Sequence, residues 1–293
     1  MKIIDCFMYF DEDMMLDIRL NVLDKFVSHF VICEAAFNHK GVSKKLNFNI
    51  NNFSKFKNKI SYVVADKQPD TLRKIYGNDD ENSRNSKILD NALIRENYQR
   101  NYLTNKLKEF SDDDLIIIND LDEIPNLDNF KYKNKITIFK QKMFYYKLNL
   151  VYPNFLWSGS KICKKKDLIS PQWLRNVKSK KYPLWRLDSF FSRKKYNDID
   201  FIEDGGWHFT NIKTPEQIDY KMKNFLHHLE YEKSGINTEE IKKNILEKKV
   251  IYDHFSDKRK SKVLSTGKLE KLDLSELPDY IFKNSDKYQE WID

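Results

Sequence analysis

Four consecutive aliphatic residues, Leu115 to Ile118, run directly into a short acidic turn. A short apolar run of this kind is typical of a strand that is covered on both faces of its sheet. Asp120, Asp122 and Glu123 follow where that strand ends. The feature therefore predicts an α/β sheet with carboxylates at its rim.

Apolar periodicity before this stretch predicts alternating strands and helices. Residues 2–9 and His29 to Ala35 have the apolar content of buried strands. Between them, Met15, Ile18 and Val22 recur at helical spacing. A β-α-β unit of this kind is the building block of α/β folds.

The rest of the N-terminal half continues this alternation. Residues 59–66 predict another strand, and the polar segment 68–86 predicts a loop. Residues 91–110 predict a long helix that directs Leu93 and Leu103 toward the core. In open α/β sheets the ligand crevice lies beyond the carboxyl ends of the strands. We therefore expect the acidic turn to lie at a ligand site.

Aromatic-rich segments follow the acidic turn. Residues 135–140 and 144–157 predict strands of mixed or antiparallel character. From Thr214 the chain becomes charged and helical, with threonine as the N-cap and proline at the first helical position. We expect an α/β domain over residues 1–213 and a charged helical C-terminal appendage over 214–293 that packs on it.

Composition limits the class of protein and its partners. The 293 residues are 40% hydrophobic and 14% aromatic, which is typical of a folded chain. A formal net charge of +8 favours anionic partners such as nucleic acid, anionic lipid or a sugar nucleotide. The basic clusters at 164–166, 178–181 and 193–195 are scattered between apolar segments, as expected for solvated surface. Three cysteines indicate neither a disulfide framework nor a zinc site.

The N-terminal sequence determines the expected compartment. Asp5 interrupts the first apolar run, so these residues do not form the apolar segment of a signal peptide. No stretch approaches the roughly 18 apolar residues of a bilayer span. We expect a cytoplasmic protein of unknown oligomeric state, with possible peripheral association at the inner face of an anionic membrane.

The acidic turn has the chemistry of a divalent-cation site. Two carboxylates one residue apart can bind one hard cation, whose remaining positions are commonly filled by water or substrate phosphates. Such an ion would neutralise the charge that develops on a leaving diphosphate. Asp-x-Asp also occurs at 11–13, 112–114 and 198–200, but only Asp120 directly follows four aliphatic residues. A purely structural alternative is that Asp122 or Asn126 caps a following helical turn.

Four sequence blocks, in order along the chain, resemble glycosyltransferase family 17. They are residues 12–41, 96–104, 113–128 and 205–216, the last containing Gly-Gly-Trp-His. The resemblance implies a GT-A type Rossmann-like fold and an inverting transfer of N-acetylglucosamine from UDP-GlcNAc to a glycan. It also implies Mn²⁺ or Mg²⁺ as the cofactor. Animal members carry an N-terminal Golgi anchor, and its absence here predicts a bacterial or viral enzyme.

The resemblance assigns metal ligands and acids to named positions. Asp122 is expected to bind the metal directly, and Asp120 to bind it indirectly or to contact the ribose. His208 is expected to be a third ligand or a phosphate contact, although a lone histidine beside a tryptophan is more often structural. Asp128 matches a further family acid with a catalytic role, and it could equally cap a helix.

Three further residues are candidates for donor binding. Glu34 ends an apolar strand that lines the nucleotide pocket in the resembling enzymes, so we assign it to uridine or ribose. Arg100 could bind a phosphate, or it could pair with Glu96 four residues earlier. Trp207 could stack on a sugar or on uracil, and a core position is the alternative.

An inverting transfer requires a carboxylate that removes the proton of the acceptor hydroxyl. Glu123 is our first candidate for this base, and Asp204 and Glu230 are the alternatives. Two other functions fit parts of the sequence. A basic, aromatic-rich protein could bind single-stranded nucleic acid, and paired acids could serve a metal-dependent phosphatase. The acidic crevice disfavours nucleic acid, so we expect a nucleotide-sugar donor and a glycan acceptor as partners.

Overall fold

The aliphatic run Leu115–Asn119 forms a central strand of one mixed sheet. A computed structural model describes residues 1–183, 185, 191–225, 228–251 and 267–293. Its strands are β1 (Ile3–Tyr9), β2 (His29–Ala35), β3 (Ile60–Ala65), β4 (Leu115–Asn119), β5 (Glu123–Pro125), β6 (Ile136–Tyr145), β7 (Leu150–Lys164), β8 (Ile199–Ile202), β9 (Gly206–Thr210) and β10 (Glu270–Lys271).

Helices flank this sheet. The α-helices are α1 (Asp13–Leu23), α2 (Glu81–Tyr102), α3 (Thr104–Leu107), α4 (Pro171–Asn176), α5 (Pro215–Asn224), α6 (His228–Ser234), α7 (Thr238–Leu246) and α8 (Asp279–Lys283). Short 3-10 helices cover Ile50–Lys59, Lys165–Asp167, Leu274–Glu276 and Ser285–Trp291. No helix among the described residues is long and apolar enough to cross a membrane.

The strand order is β3-β2-β1-β4-β7-β6-β9-β5, with β8 beside β6 and β10 beside β7. Neighbouring strands from β3 to β4 are parallel, whereas β7 runs antiparallel to both β4 and β6. Strand β9 is parallel to β6 and antiparallel to β5. The carboxyl ends of β1, β2, β4, β6 and β9 therefore lie at one edge. The predicted Rossmann-like mixed α/β fold is confirmed.

Side chains of β4 enter two separate apolar cores. Leu115 and Ile117 belong to one cluster, with α1, and Ile116 and Ile118 belong to the other, with α3 and α4. Alternation along a strand sends successive side chains to opposite faces, so β4 is buried on both. This burial explains why the sequence there is a continuous aliphatic run.

The C-terminal segment packs on the sheet in two places. Helices α5 to α7 form a third apolar core with β6 and β7, to which Ile218 and Met222 contribute. Further on, Leu277, Ile281 and Tyr288 enter the core beside α1. The segment is not entirely helical, because β10 pairs with β7 and extends the sheet.

Candidate active site

Arg19 holds the backbone of the acidic turn from below. Its buried guanidinium donates to Asp5 Oδ2 from Nε at 2.8 Å and to Asp5 Oδ1 from Nη2 at 2.7 Å. Its Nη1 donates to the carbonyl oxygens of Asp120, Leu121 and Glu123 at 3.3, 3.1 and 2.6 Å. One buried cation therefore fixes the path of the turn that carries the acids.

The Glu123 carboxylate is the centre of a buried network above the turn. Its Oε2 accepts the backbone N–H of Asp120 at 3.0 Å, and its Oε1 accepts Trp157 Nε1 at 2.6 Å. Arg175 donates to both oxygens, at 2.7 Å to Oε2 and 3.0 Å to Oε1. Both oxygens of Glu123 are thus occupied by fixed donors, and the residue is 0% exposed.

Two arginines share the Asp120 carboxylate. Arg100 Nη2 donates to Oδ1 at 3.0 Å, and Arg175 Nη2 donates to Oδ2 at 2.8 Å. Burial raises the pKa of Asp120, but the charges of Arg175 and Arg100 outweigh it and hold that pKa well below its usual range. Asp120 is therefore ionised and bound through both oxygens.

Asp122 faces looser partners. Its Oδ1 lies 3.6 Å from His208 Nε2, and its Oδ2 lies 4.0 Å from Lys221 Nζ. Burial raises the pKa of Asp122, but His208 and then Lys221 outweigh it and lower that pKa. For His208, burial lowers the pKa and the charge of Asp122 outweighs it, so the pKa is raised. Ionised Asp122 and protonated His208 attract each other, but at a longer distance than separates Asp120 from its two arginines.

Strand pairing brings Asp122 and His208 together. Glu123 of β5 pairs with His208 of β9, and Phe209 N donates to the carbonyl oxygen of Asp122 at 2.9 Å. Gly206 permits this approach, because its φ is +114° and a Cβ atom there would lie 2.2 Å from the carbonyl oxygen of Ile124. The glycine before Trp-His is therefore required by the backbone conformation and by the close approach of β5.

A cavity of about 460 Å³ opens at the carboxyl edge of the sheet, where the sequence predicted a ligand crevice. Tyr9 of β1 and Phe37 beyond β2 line one side, and Thr210 of β9 and Lys221 of α5 line another. Asp122 lies in its wall. The volume is within the range of about 300 to 1,000 Å³ that is typical of small-molecule sites.

Comparison with known proteins identifies the family. The model of glycosyltransferase family 17 matches residues 1–292. The chain belongs to glycosyltransferase family 17. It is 24% identical over 230 residues to the rat "Beta-1,4-mannosyl-glycoprotein 4-beta-N-acetylglucosaminyltransferase" and 23% identical over 230 residues to the human protein of that name. Each match covers 71% of this chain and 40% of the relative, so the chain spans less than half the length of these relatives. The predicted family is confirmed.

The cavity contains four of the residues that the sequence singled out for this family 17 site. Asp120, Asp122, Arg100 and His208 all line it, and so does Glu230, an alternative candidate for the base. Arg100 also donates to Glu96 at 2.8 Å, which is the intrahelical pair that the sequence offered as the alternative to phosphate binding. The catalytic and metal-binding roles of these residues remain predictions.

Three other predicted residues are placed elsewhere by the structure. Glu34 does not line the cavity, because its buried carboxylate accepts hydrogen bonds from Lys44, from the backbone of Asn47 and Phe48 at 2.8 and 3.1 Å, and from Tyr62 at 2.8 Å. These donors explain, without a ligand, why a carboxylate lies at the end of this strand. They could not be recognised from the sequence.

Asp128 and Trp207 also lie outside the cavity lining. Asp128 is 59% exposed and pairs with Lys25 at 2.8 Å, as a surface ion pair does. Trp207 packs against the core beside α1, and its Nε1 donates to the carbonyl oxygen of Glu276 at 2.9 Å. The structural alternative is therefore favoured for Trp207, and the predicted catalytic role of Asp128 has no support from its position.

The three acids considered as the base lie at different places relative to the cavity. Glu123 is fully buried under Trp157 and Arg175, so an acceptor hydroxyl could not reach it without breaking the network. Asp204 is exposed and does not line the cavity. Of the three acids considered as a base, only Glu230 lines it.

Three residues of the site were not singled out from the sequence: Arg175, Trp157 and Lys221. Arg175 lies on α4, whose start is marked in the sequence by the N-cap Ser170 and a proline at the first helical position. That signal predicts the helix but not its partner across the sheet. Lys221 is one lysine among many on charged helices, so its position at the cavity required the tertiary structure.

Asp122 and His208 fit part of the coordination of a divalent ion, whose remaining positions would be filled by a bound ligand. Octahedral coordination at about 2.1 Å places neighbouring ligand atoms about 3 Å apart. A small shift that also releases His208 Nε2 from Thr210 Oγ1, 2.9 Å away, would therefore bring Asp122 Oδ1 and His208 Nε2 to one ion. Among the described residues, no group of three or more His, Cys, Asp or Glu side chains could hold a metal. Magnesium-type sites commonly have one or two carboxylates plus substrate phosphates, which is the arrangement possible here.

Proposed function

We propose that this chain is an inverting, metal-dependent glycosyltransferase that moves N-acetylglucosamine from UDP-GlcNAc to a hydroxyl group of a glycan. The observation that carries the proposal is the Asp122–His208 pair in the wall of a cavity at the carboxyl edge of the sheet. Membership of family 17 and the printed names of the rat and human relatives support the class of reaction and the sugar.

Asp122 and His208 would hold Mn²⁺ or Mg²⁺, and Asp120 would position the turn instead of binding the ion. When bound, such an ion would supply positive charge to the diphosphate of the leaving UDP. Arg19, Arg100 and Arg175 fix the turn before the donor arrives, so little reorganisation is required at the moment of reaction.

Glu230 is our proposed base. In the transfer, the acceptor oxygen bonds to the anomeric carbon while the bond from that carbon to the β-phosphate oxygen breaks. The hydroxyl proton passes to the carboxylate of Glu230, and UDP leaves with the bonding electrons. Attack from the face opposite UDP inverts the anomeric configuration.

The test measures UDP release from a panel of nucleotide sugars, with Mn²⁺ and with a chelator. We expect release from UDP-GlcNAc that requires the ion and that falls about 100-fold in Asp122→Asn, as for loss of one charge-stabilising group. Asp112→Asn is the matched control, because it alters another Asp-x-Asp copy whose side chain is 73% exposed. Equal release in the chelator, or no release from any nucleotide sugar, would reject the proposal. Release of inorganic phosphate instead would indicate a phosphatase.

A further inference from the structure

The cavity has an excess of acids over cations, although the proposed donor is an anion. Among the residues that the structure describes, five acidic and two permanently basic side chains line it: Glu12, Glu96, Asp120, Asp122 and Glu230, against Arg100 and Lys221. A diphosphate would be repelled by this wall unless cations contact it directly. The availability of each basic side chain therefore decides which can bind a donor.

The two terminal nitrogens of Arg100 are already bound to protein groups. Its side chain is 3% exposed, its Nη2 donates to Glu96 at 2.8 Å and to Asp120 at 3.0 Å, and its Nη1 donates to Gln172. Turning toward a ligand would break these bonds and leave Glu96, whose side chain is 18% exposed, without its arginine partner. Arg100 therefore acts on the turn and not on a free ligand.

Lys221 differs in each of these respects. Its side chain is 23% exposed, and its nearest acid is Asp122 Oδ2 at 4.0 Å, which is beyond hydrogen-bond distance. A lysine ammonium carries three donors on a flexible stem. The group can therefore move by a few ångströms to an anion in the cavity while its backbone stays in place.

Helix α5 holds that backbone firmly. Thr214 and Gln217 form a reciprocal capping box at its start. Ile218 and Met222 on the same helix are 0% and 2% exposed in the third core. Lys221 thus projects from a fixed helix at the cavity wall.

We propose that Lys221 binds the diphosphate of the donor, and that before binding it pairs with Asp122 in place of the divalent ion. The inference rests on the proposed function, because it takes the ligand to be a nucleoside diphosphate. In this scheme Asp122 and His208 would hold the ion in place of the ammonium, and Lys221 would then be able to move to the phosphates. The C-terminal segment would then contribute directly to donor binding.

The test compares Lys221→Met with Lys223→Met by calorimetric titration of the full chain. Lys223 is on the same helix, is 53% exposed and pairs with Asp219, so its loss serves as the matched control. With saturating Mn²⁺, we expect Lys221→Met to bind UDP about tenfold more weakly, as for loss of one charged hydrogen bond. Titrated with Mn²⁺ alone, Lys221→Met should bind the ion more tightly than wild type, because the competing charge is gone. Lys221→Arg should recover part of the UDP affinity.

The outcomes distinguish a failure of this inference from a failure of the proposed function. Unchanged UDP affinity in Lys221→Met, with affinity lost in Asp122→Asn, would overturn the role of Lys221 and leave the proposed function standing. Unchanged or weaker Mn²⁺ binding in Lys221→Met would overturn the exchange of ammonium for ion. Failure of the wild-type chain to bind UDP or Mn²⁺ would overturn both proposals. Melting temperatures of both lysine variants equal to that of wild type would show that neither change acts through folding.

Discussion

The two aspartates of the acidic turn lie one residue apart and have opposite surroundings. Asp120 is bound through both oxygens by Arg100 and Arg175 at 3.0 and 2.8 Å. Asp122 has its cationic neighbours farther away, with His208 at 3.6 Å and Lys221 at 4.0 Å. We refer to these as the arginine side and the histidine side of the turn. Within one Asp-x-Asp, the first carboxylate is thus bound by two guanidinium groups, whereas the cations beside the second lie beyond hydrogen-bond distance.

The two aspartates differ because different kinds of cationic side chain lie beside them. Arg175 comes from α4 and Arg100 from α2, and planar guanidinium groups fit carboxylates with short, directed bonds. On the other side, Lys221 offers charge on a flexible stem, and buried His208 offers charge on a ring whose Nε2 also lies 2.9 Å from Thr210 Oγ1. Ligands can replace partners of the second kind at lower cost. The following predictions test whether the two sides differ as proposed.

The largest effect is expected on the arginine side. Arg175→Met would leave the fully buried Glu123 carboxylate without its bidentate partner and remove one partner of Asp120. We expect a loss of about 3 to 5 kcal/mol in the free energy of unfolding, the usual cost of breaking a buried ion pair. Urea denaturation measures it. The exposed Arg73, which pairs with Asp90, is the control, and Arg73→Met should cost less than about 1 kcal/mol. Similar losses in both variants would contradict the comparison.

Much of the fold could be predicted from the sequence because apolar patterns report burial directly. The strands predicted over 2–9 and 29–35 appear as β1 and β2, and the aliphatic run appears as β4. Side-chain directions on the long helix were harder to predict. Leu103 is 0% exposed as expected, whereas Leu93 is 44% exposed. Helix α2 also begins at Glu81, inside the segment 68–86 that the sequence predicted as a loop.

The site was predictable where its residues follow strands. Asp122 and His208 both lie beside strand pairings at one edge, and the structure brings them together. Neither Glu123 nor Glu34 lines the cavity, and the physical reason is the same for both. A carboxylate at a strand end suggests a ligand, but distant donors such as Arg175 and Tyr62 can satisfy it equally well. Sequence does not show which donors the fold brings to an acid.

A smaller effect is expected from removing one hydrogen bond of the arginine side. Trp157→Phe keeps an aromatic ring beside His208 and deletes the bond from Nε1 to Glu123, which measures 2.6 Å. Because the acceptor is charged, we expect a loss of about 2 kcal/mol in the free energy of unfolding. The control is Trp207→Phe, whose lost bond ends on a neutral carbonyl and should cost about 1 kcal/mol. A larger loss in the control would mean that the Glu123 network is not a main support of the turn.

The smallest effect concerns the histidine side and depends on pH. The folded pKa of His208 is raised, so the stability from its pairing with Asp122 is fully present below the ordinary histidine pKa of about 6.5 and is lost as pH rises through the folded value. The pKa of Asp122 is lowered, so this carboxylate stays ionised until the pH falls below its ordinary range. Wild type should therefore exceed His208→Gln in melting temperature by more at pH 5.5 than at pH 8.5. Thermal denaturation at both pH values measures the gap. A gap that is constant or grows with pH would show that no charged pair forms, and the histidine side would then lack the exchangeable charge that distinguishes it from the arginine side.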